Sequence, residues 1–412
     1  MSKIKSQDNV AKVSVLAGTG GMLEFYDFIL YILFSDQITQ AFFVDIQSEY
    51  IKNLIVVAIF SIAYIVRPIG GFFIGWLGDN IGRKKSFSFT ILLMGVCVLL
   101  MGIMPTYAQI GLTAPIIFVL LRVIQGFALG GELPGAIVFV YESVERRGLA
   151  LGIMFAMVFL GFLLGDIMSI VLHAVFGQYA WRAAFISGSF VAFVGFYIRQ
   201  RLEETKLFST LKNKQKFPLL VLLKEQFKSQ VGAILCVIIV AFNGVVVSLY
   251  LPKYLQSHLH YTHAFFDPMV LASAVINIIV IFAASLLTDY INYRKLYVIM
   301  AACLIIFSYP AFLLISLNTA GWVFIGIVII SFIPSVTTGL FMRILCESFT
   351  TDVRFSGVAI GYNLAFALVG GFAPLVSEVL IHDVNVVFGP SIVGIVCGIL
   401  GLISMRLLKK RY

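Results

Sequence analysis

Charged residues are scarce in this chain of 412 residues. Asp, Glu, Lys and Arg together make up 12% of it, whereas 60% of the residues are hydrophobic. Soluble globular proteins contain about 25% charged and about 45–50% apolar residues. A soluble protein of this composition would have nowhere to bury its apolar surface. The composition therefore excludes a soluble enzyme, a disordered chain and a nucleic-acid-binding protein.

The sequence also lacks the patterns that bind metals or perform covalent catalysis. Its five cysteines lie singly in apolar stretches, with no Cys-x-x-Cys pair and no His or carboxylate at metal-ligand spacing. It contains no nucleophile elbow and no phosphate-binding loop. The first 15 residues are polar and basic, unlike a cleavable signal peptide. We expect no enzymatic activity, no metal and no cofactor other than a coupling proton.

Long apolar runs are what the sequence has instead. About 20 apolar residues in a helix cross the roughly 30 Å of hydrocarbon in a bilayer. We count twelve such runs, so the sequence predicts an all-α membrane protein with twelve transmembrane helices. They are predicted at 16–43, 51–76, 86–104, 112–141, 148–175, 183–198, 231–256, 269–288, 296–317, 321–346, 356–381 and 387–408.

The net charge of +9 comes from basic residues that lie between the apolar runs. Most Lys and Arg residues fall in the segments on one side, and the opposite loops retain only Lys52, Arg182 and Lys253. Basic loops face the cytoplasm, so this asymmetry places both termini there. Orientation in the membrane thus explains the charge, and we expect no nucleic-acid partner.

The longest polar stretch, residues 199–230, divides the chain almost in half. A shift of about 209–210 residues aligns two regions of the first half with two of the second. The aligned residues are Gly148, Gly152 and Gly161 with Gly357, Gly361 and Gly370, and Asp79, Lys84 and Lys85 with Asp289, Arg294 and Lys295. We predict two six-helix pseudo-repeats, 1–198 and 231–412, joined by a cytoplasmic linker at 199–230.

Charged residues inside the predicted spans are candidates for function, because each costs at least about 2.5–3.5 kcal/mol to insert. The first half has Glu24, Asp27, Arg122, Glu132 and Asp166. Four acids with one arginine at mid-bilayer leave carboxylates unpaired, and unpaired buried carboxylates bind protons. The pattern predicts proton coupling by these five residues, with Asp27 favoured because it lies deepest in its span.

Helical periodicity groups these residues. Asp27 shares one face of the first span with Glu24 and Tyr31, and Arg122 shares a polar stripe of the fourth span with Gln125 and Glu132. Arg122 has two interpretations. It is either a permanent lock on Asp27 or Asp166, or the group that binds a carboxylate of the solute together with Tyr31 and Gln125.

The spans of the second half carry polar groups but little charge. The further candidates for solute binding are Asn243, Tyr250, Asn277, Tyr362 and Asn363. The alternative for each asparagine is an interhelical hydrogen bond that only packs helices. Tyrosines near span ends are often anchors at the membrane interface.

The loop GWLGDNIGRKKSF (75–87) is the most specific local motif. Gly75 and Gly82 permit close helix approach and a tight turn, and Asp79 and Arg83 are placed to pair with each other or to cap a neighbouring helix. The alternative is a basic turn that only fixes topology.

With this loop and RVIQGFALGGE (122–132), the chain resembles the major facilitator superfamily. GMLEFYDFILY (21–31), LEETKLF (202–208) and VRFSGVAIGYNLAFALVGGFAP (353–374) are similar to its metabolite:proton symporter family, which includes proline/betaine, ketoglutarate, citrate and shikimate permeases. The resemblance implies the major facilitator fold. It also implies a cytoplasmic gate at Asp79 and Arg83, a coupling centre at Glu24, Asp27 and Arg122, and a cavity wall at Tyr362 and Asn363.

The sequence thus predicts a proton-coupled symporter that imports a small polar organic solute by alternating access. We expect a monomer in the lipid bilayer of a bacterial inner membrane, with the solute and protons as its partners. One arginine at mid-bilayer suits a zwitterion or monocarboxylate, such as proline or betaine, better than a di- or tricarboxylate. The alternatives are a carrier or exporter of an organic acid or chelator, and a non-transporting membrane sensor.

Overall fold

The structure is a computed structural model that describes residues 2–43, 49–200, 203–210, 215, 217–385 and 387–408. Twelve long helices account for most of these residues, and the described parts contain no strand. The helices are α1 (Ser2–Leu33), α2 (Glu49–Asn80), α3 (Arg83–Ile103), α4 (Thr113–Ser143), α5 (Arg147–Phe176), α6 (Ala180–Gln200), α7 (Phe227–Ser257), α8 (His263–Leu287), α9 (Tyr293–Ile315), α10 (Ala320–Glu347), α11 (Arg354–Asp383) and α12 (Phe388–Leu407). The predicted fold class is confirmed.

Short helices fill some of the connections, at Ser35–Phe42, Tyr107–Ile110, Lys206–Ser209 and Pro218–Lys224. The predicted first span, 16–43, is wrong at both ends. The helix already begins at Ser2, because residues 2–15 contain no Gly or Pro that would break it, and it ends at Leu33 before a separate short helix. Within α7, residues Asn243–Tyr250 form a π-helical segment.

Ten stretches of the described residues are long and apolar enough to cross a membrane, and one of them, Arg147–Tyr197, covers α5 and α6 together. Large apolar side chains such as Ile170, Phe190 and Leu375 are exposed on the helices. Contact with lipid tails removes the cost that such side chains would have in water. The chain is therefore an integral membrane protein.

The chain forms two compact units. Unit 1 comprises Met1–Val144 and Ile153–Pro218, and unit 2 comprises Glu145–Gly152 and Leu219–Tyr412. Five helix pairs that pack in unit 1 have a counterpart in unit 2. The pairs α2–α4, α3–α6, α3–α4, α1–α6 and α1–α4 correspond to α8–α10, α9–α12, α9–α10, α7–α12 and α7–α10. This correspondence is what a duplicated six-helix bundle produces, whereas the exact domain bounds 1–198, 199–230 and 231–412 stay a prediction.

Glycines set the close packing of α2 against α4. A side chain at Gly126 would collide with the backbone of Ala63, and one at Gly130 would collide with the carbonyl oxygen of Arg67. Two glycines four residues apart place a smooth strip on one face of a helix, which allows two backbones to approach. The GFALG segment of the α4 motif therefore has a packing role, and it holds α4 close to the α2 turn that contains Arg67.

Candidate functional site

Asp27 on α1 and Arg122 on α4 form a buried ion pair in unit 1. Arg122 Nη1 donates to Asp27 Oδ2 at 2.9 Å, and Gln125 Nε2 donates to the same oxygen at 2.6 Å. Arg122 Nη1 also donates to Gln125 Oε1 at 2.8 Å. The structure thus brings three of the predicted residues together. Of the two predicted partners of Arg122, Asp27 and Asp166, the structure shows an ion pair with Asp27. The side chain of Asp166 lies outside the described residues.

This charged group keeps unused hydrogen-bonding capacity. Within the described part of the chain, Arg122 Nε and Nη2 have no acceptor and Asp27 Oδ1 has no donor. The guanidinium carbon of Arg122 lies 4.2 Å from the centre of the Tyr31 ring, 5.5 Å from that of Phe185 and 5.8 Å from that of Phe118. The two phenylalanines could not be predicted, because in the sequence nothing separates them from the many other apolar residues of their helices.

The expectation that carboxylates would remain unpaired is wrong for Glu24 and Glu132. Arg67 Nη2 on α2 lies 2.9 Å from Glu24 Oε1. Arg199 donates to both oxygens of Glu132, at 2.7 and 3.2 Å, and the Thr90 hydroxyl donates to Glu132 as well. Because the apolar run ends at residue 198, Arg199 was predicted to lie in the linker. The helix α6 continues to Gln200 and buries Arg199 completely.

The predicted gate residues form a buried cluster at the α2–α3 turn. Arg83 donates to Asp79 Oδ1 at 2.6 Å and to Glu142 Oε2 at 3.3 Å, and it is 1% exposed. Gly75 is buried within α2. Glu142 was missed because the predicted fourth span ends at 141, whereas α4 continues to Ser143.

The segment 203–210 folds over this cluster. Glu204 accepts hydrogen bonds from the backbone N–H of Lys84, at 3.2 and 3.3 Å, and so caps the first turn of α3. Thr205 Oγ1 donates to Glu142 Oε2 at 2.9 Å. The turn residue Gly82 has φ +135°, and a side chain there would collide with the Glu204 carboxylate. Residues 203–208 of the LEETKLF motif therefore pack against the predicted gate residues.

Unit 2 contains a corresponding cluster around Asp289. Arg343 Nη1 donates to Asp289 Oδ1 at 2.9 Å, and Arg343 Nε donates to Glu347 Oε1 at 3.0 Å. The two Asp289 oxygens accept hydrogen bonds from the backbone N–H groups of Gly148 and Leu149, at 2.9 and 3.1 Å. Asp289 thus caps the positive end of the α5 helix dipole. Arg343 is therefore the basic partner of both acids in this cluster.

The predicted solute-binding residues of unit 2 fall into separate groups. Asn243 donates to Ser335 Oγ at 3.2 Å and to Thr338 Oγ1 at 3.3 Å, and Ser335 in turn donates to Asn277 Oδ1 at 2.9 Å. These bonds link α7, α8 and α10. They match the alternative in which the asparagines pack helices.

The other three candidates in unit 2 contact residues outside the Asn243–Ser335–Asn277 chain of hydrogen bonds. Tyr250 Oη donates to Glu378 Oε1 at 2.9 Å. The Tyr362 ring lies 4.5 Å from that of Phe366, and Asn363 donates to the Ala359 carbonyl of its own helix at 2.7 Å.

Known proteins are similar to this chain in sequence and in fold. The family model of the Major Facilitator Superfamily matches residues 20–374. A proline/betaine transporter of Salmonella typhimurium is 28% identical over 412 residues, which cover 95% of this chain and 82% of that protein. A putative proline/betaine transporter of Staphylococcus aureus is 29% identical over 381 residues, which cover 90% and 82%.

Solved structures share the fold at lower sequence identity. The proton:xylose symporter XylE, bound to 6-bromo-6-deoxy-D-glucose, has a TM-score of 0.78 at 16% identity, with 97% of this chain and 95% of that chain covered. The human organic anion transporter MFSD10 has a TM-score of 0.67 at 13% identity, with 97% and 99% covered. The prediction of a transporter, not an enzyme, is confirmed by the family. The chain belongs to the major facilitator superfamily.

Proposed function

We propose that this protein is a proton-coupled symporter that imports a small zwitterion or monocarboxylate, such as proline or betaine, by alternating access. The observation that carries the proposal is the Asp27–Arg122–Gln125 group with its unused hydrogen-bonding atoms. The names of the Salmonella typhimurium and Staphylococcus aureus relatives support the choice of solute.

Arg122 and Asp27 offer opposite charges to one small molecule. A buried polar atom without a partner costs about 1–3 kcal/mol, and more when it is charged. A solute carboxylate on Arg122 Nε and Nη2 would remove that cost, and a solute cation near Asp27 Oδ1 would do the same for the acid. A zwitterion brings both groups at once, which favours it over a neutral sugar.

The surroundings of Arg122 support a solute with a single carboxylate. The other buried arginines of unit 1 belong to separate ion pairs: Arg67 with Glu24, Arg83 with Asp79 and Glu142, and Arg199 with Glu132. A di- or tricarboxylate would need a second cation. The Tyr31 and Phe118 rings lie near the Arg122 guanidinium, and their faces attract its positive charge.

Protons are the proposed coupling ion, and no further cofactor is part of the proposal. One co-transported charge gains about 2.3 kcal/mol at 100 mV, enough for roughly a fiftyfold gradient of a neutral solute. We further propose that the protein acts as a monomer in a bacterial inner membrane with both termini cytoplasmic. The bacterial relatives and the basic loops support this placement.

Two measurements on the purified protein test the proposal. In a thermal-shift screen of amino acids, betaines and organic acids, we expect a zwitterion or monocarboxylate to raise Tm, because it binds only the folded state. In proteoliposomes, we expect an inward proton gradient to drive accumulation of the same compound. Solute movement opposite to the proton flux would show an exporter, and binding without flux would show a sensor.

A further inference from the structure

We infer that the short helix Pro218–Lys224, called the linker helix below, lies between the headgroups and the acyl chains of the inner leaflet and binds anionic phospholipid there. The helix belongs to the predicted cytoplasmic linker, 199–230, and its assignment to the inner leaflet rests on the proposed orientation. The inference concerns the lipid around the protein and does not depend on the transported solute.

The linker helix is apolar on every side. It reads PLLVLLK, and Lys224 at its end is its one charged residue. A helix that faces water carries polar side chains on that face, whereas a helix that is apolar all round is covered on all sides. Isolated helices shorter than about 12–15 residues are also marginal in water. Both properties require that other groups cover the linker helix.

One face of the linker helix is fixed to unit 2. Leu222 is completely buried. Gln226, just after the helix, donates through Nε2 to Thr350 Oγ1 at 2.6 Å, and its backbone N–H donates to the Val221 carbonyl at 3.2 Å. Gln226 is also the residue from which α7 begins. The linker helix is therefore held at the end of α7 where the membrane span starts.

The opposite face of the linker helix is apolar and exposed. Phe217, Leu220 and Leu223 are 67%, 50% and 49% exposed. They are three positions apart, so they share one side of the helix. Phe227, the first residue of α7, is 55% exposed and continues this apolar surface into the membrane span. Lipid already covers the span, and the same cover extends over the linker helix.

The charges around the linker helix fit an anionic lipid surface. Residues 212–228 contain one acid, Glu225, and five lysines, which are Lys212, Lys214, Lys216, Lys224 and Lys228. Lys224 and Lys228 are exposed, and a lysine stem lies along apolar surface while its ammonium reaches the headgroups. Basic segments beside a membrane span attract the anionic lipids of the cytoplasmic leaflet. An acidic protein would satisfy the lysines but would not explain the continuity with the span, so lipid is the favoured occupant.

Spin labels in nanodiscs of phosphatidylglycerol and phosphatidylcholine measure the depth of the linker helix. We expect a nitroxide on Leu220→Cys to collide more with oxygen than with nickel-EDDA, at about 5–10 Å below the phosphates. Glu225→Cys, an exposed polar position of the same segment, is the matched control and should collide more with nickel-EDDA. Wild type labelled in parallel supplies the background from Cys303, which is partly exposed.

Trypsin cleavage after Lys224 tests the lipid charge and the apolar face. In nanodiscs of phosphatidylcholine alone, cleavage should be roughly tenfold faster than with phosphatidylglycerol, because the lysines lose their anionic partners. With phosphatidylglycerol present, Leu220→Gln/Leu223→Gln should also be cut roughly tenfold faster than wild type, because the apolar face no longer favours the lipid. Leu207→Gln changes an exposed leucine of the segment 203–210 and is the control that should leave the rate unchanged.

Three results would overturn the inference. The first is a label at position 220 that is as open to nickel-EDDA as the label at position 225. The second is an equal cleavage rate in the two lipid compositions. The third is dipolar broadening between labels at position 220 that disappears on dilution with unlabelled protein, which would show that a second copy covers this face. None of these measurements involves solute uptake, so a failure of the proposed function would be seen separately.

Discussion

Replacement of Glu132 by glutamine is expected to destabilise unit 1 strongly. The variant leaves the Arg199 guanidinium charged and without a counterion, and both side chains are 0% exposed. Breaking a buried ion pair by removing one partner costs about 3–5 kcal/mol. For a unit of about 200 residues, each kcal/mol shifts Tm by about 2–4 °C, so Tm should fall by roughly 6–20 °C.

The cost comes from charge, because glutamine preserves the size of the side chain. Arg199 lies 3.6 Å above the centre of the Phe87 ring and also donates to the Phe87 carbonyl at 2.9 Å. These contacts remain in the variant but cannot replace the carboxylate. The double variant Glu132→Gln/Arg199→Gln removes both charges and should recover most of the lost Tm, which a double-mutant cycle measures.

Thermal unfolding of the detergent-purified protein is the assay, with the exposed Glu203→Gln as the control that should not change Tm. A fall of less than about 3 °C for Glu132→Gln, or strictly additive losses in the double variant, would contradict the argument. Either result would mean that the Glu132–Arg199 pair is not a buried lock, and Glu132 would return as a candidate for proton coupling.

Three further variants test other parts of the molecule. Arg122→Lys keeps the charge but loses the planar fork, so the KM for solute should rise roughly 10- to 100-fold in uptake assays with less change in Tm. Gly82→Ala should lower stability by about 1–3 kcal/mol, because alanine disfavours φ +135° and its side chain would collide with Glu204; limited proteolysis should then cut 203–210 faster. Asp289→Asn should cost about 1–2 kcal/mol in thermal unfolding, because it removes the charge that caps α5.

The apolar runs predicted twelve helices correctly because a bilayer requires every backbone group to be satisfied within its own helix. The errors lie at the ends of these runs, where hydropathy no longer decides. The helix α4 continues past the predicted end at 141 and includes Glu142, and α6 continues past 198 and includes Arg199. Glu142 pairs with Arg83, and Arg199 pairs with Glu132; both Arg83 and Glu132 were predicted from the sequence as candidate site residues.

Periodicity predicted which charges share a helix face, and this was enough to group Arg122 with Gln125. It could not show which charge on another helix each one meets. Arg67 lies on a different helix from Glu24, and the 2.9 Å between their charged atoms depends on how both helices are rotated and shifted along their axes. For this reason the number of free carboxylates was overestimated.

The sequence alone determined that the chain lies in a membrane, that it forms twelve long helices, and that Glu24, Asp27, Arg122 and Glu132 lie within them. These properties follow from local composition and from the 3.6-residue period of a helix. Only the tertiary structure decided which acid meets which base: Glu24 meets Arg67, Asp27 meets Arg122 and Glu132 meets Arg199. Such pairings require atoms of different helices to lie within about 3 Å, which side-chain packing between helices sets.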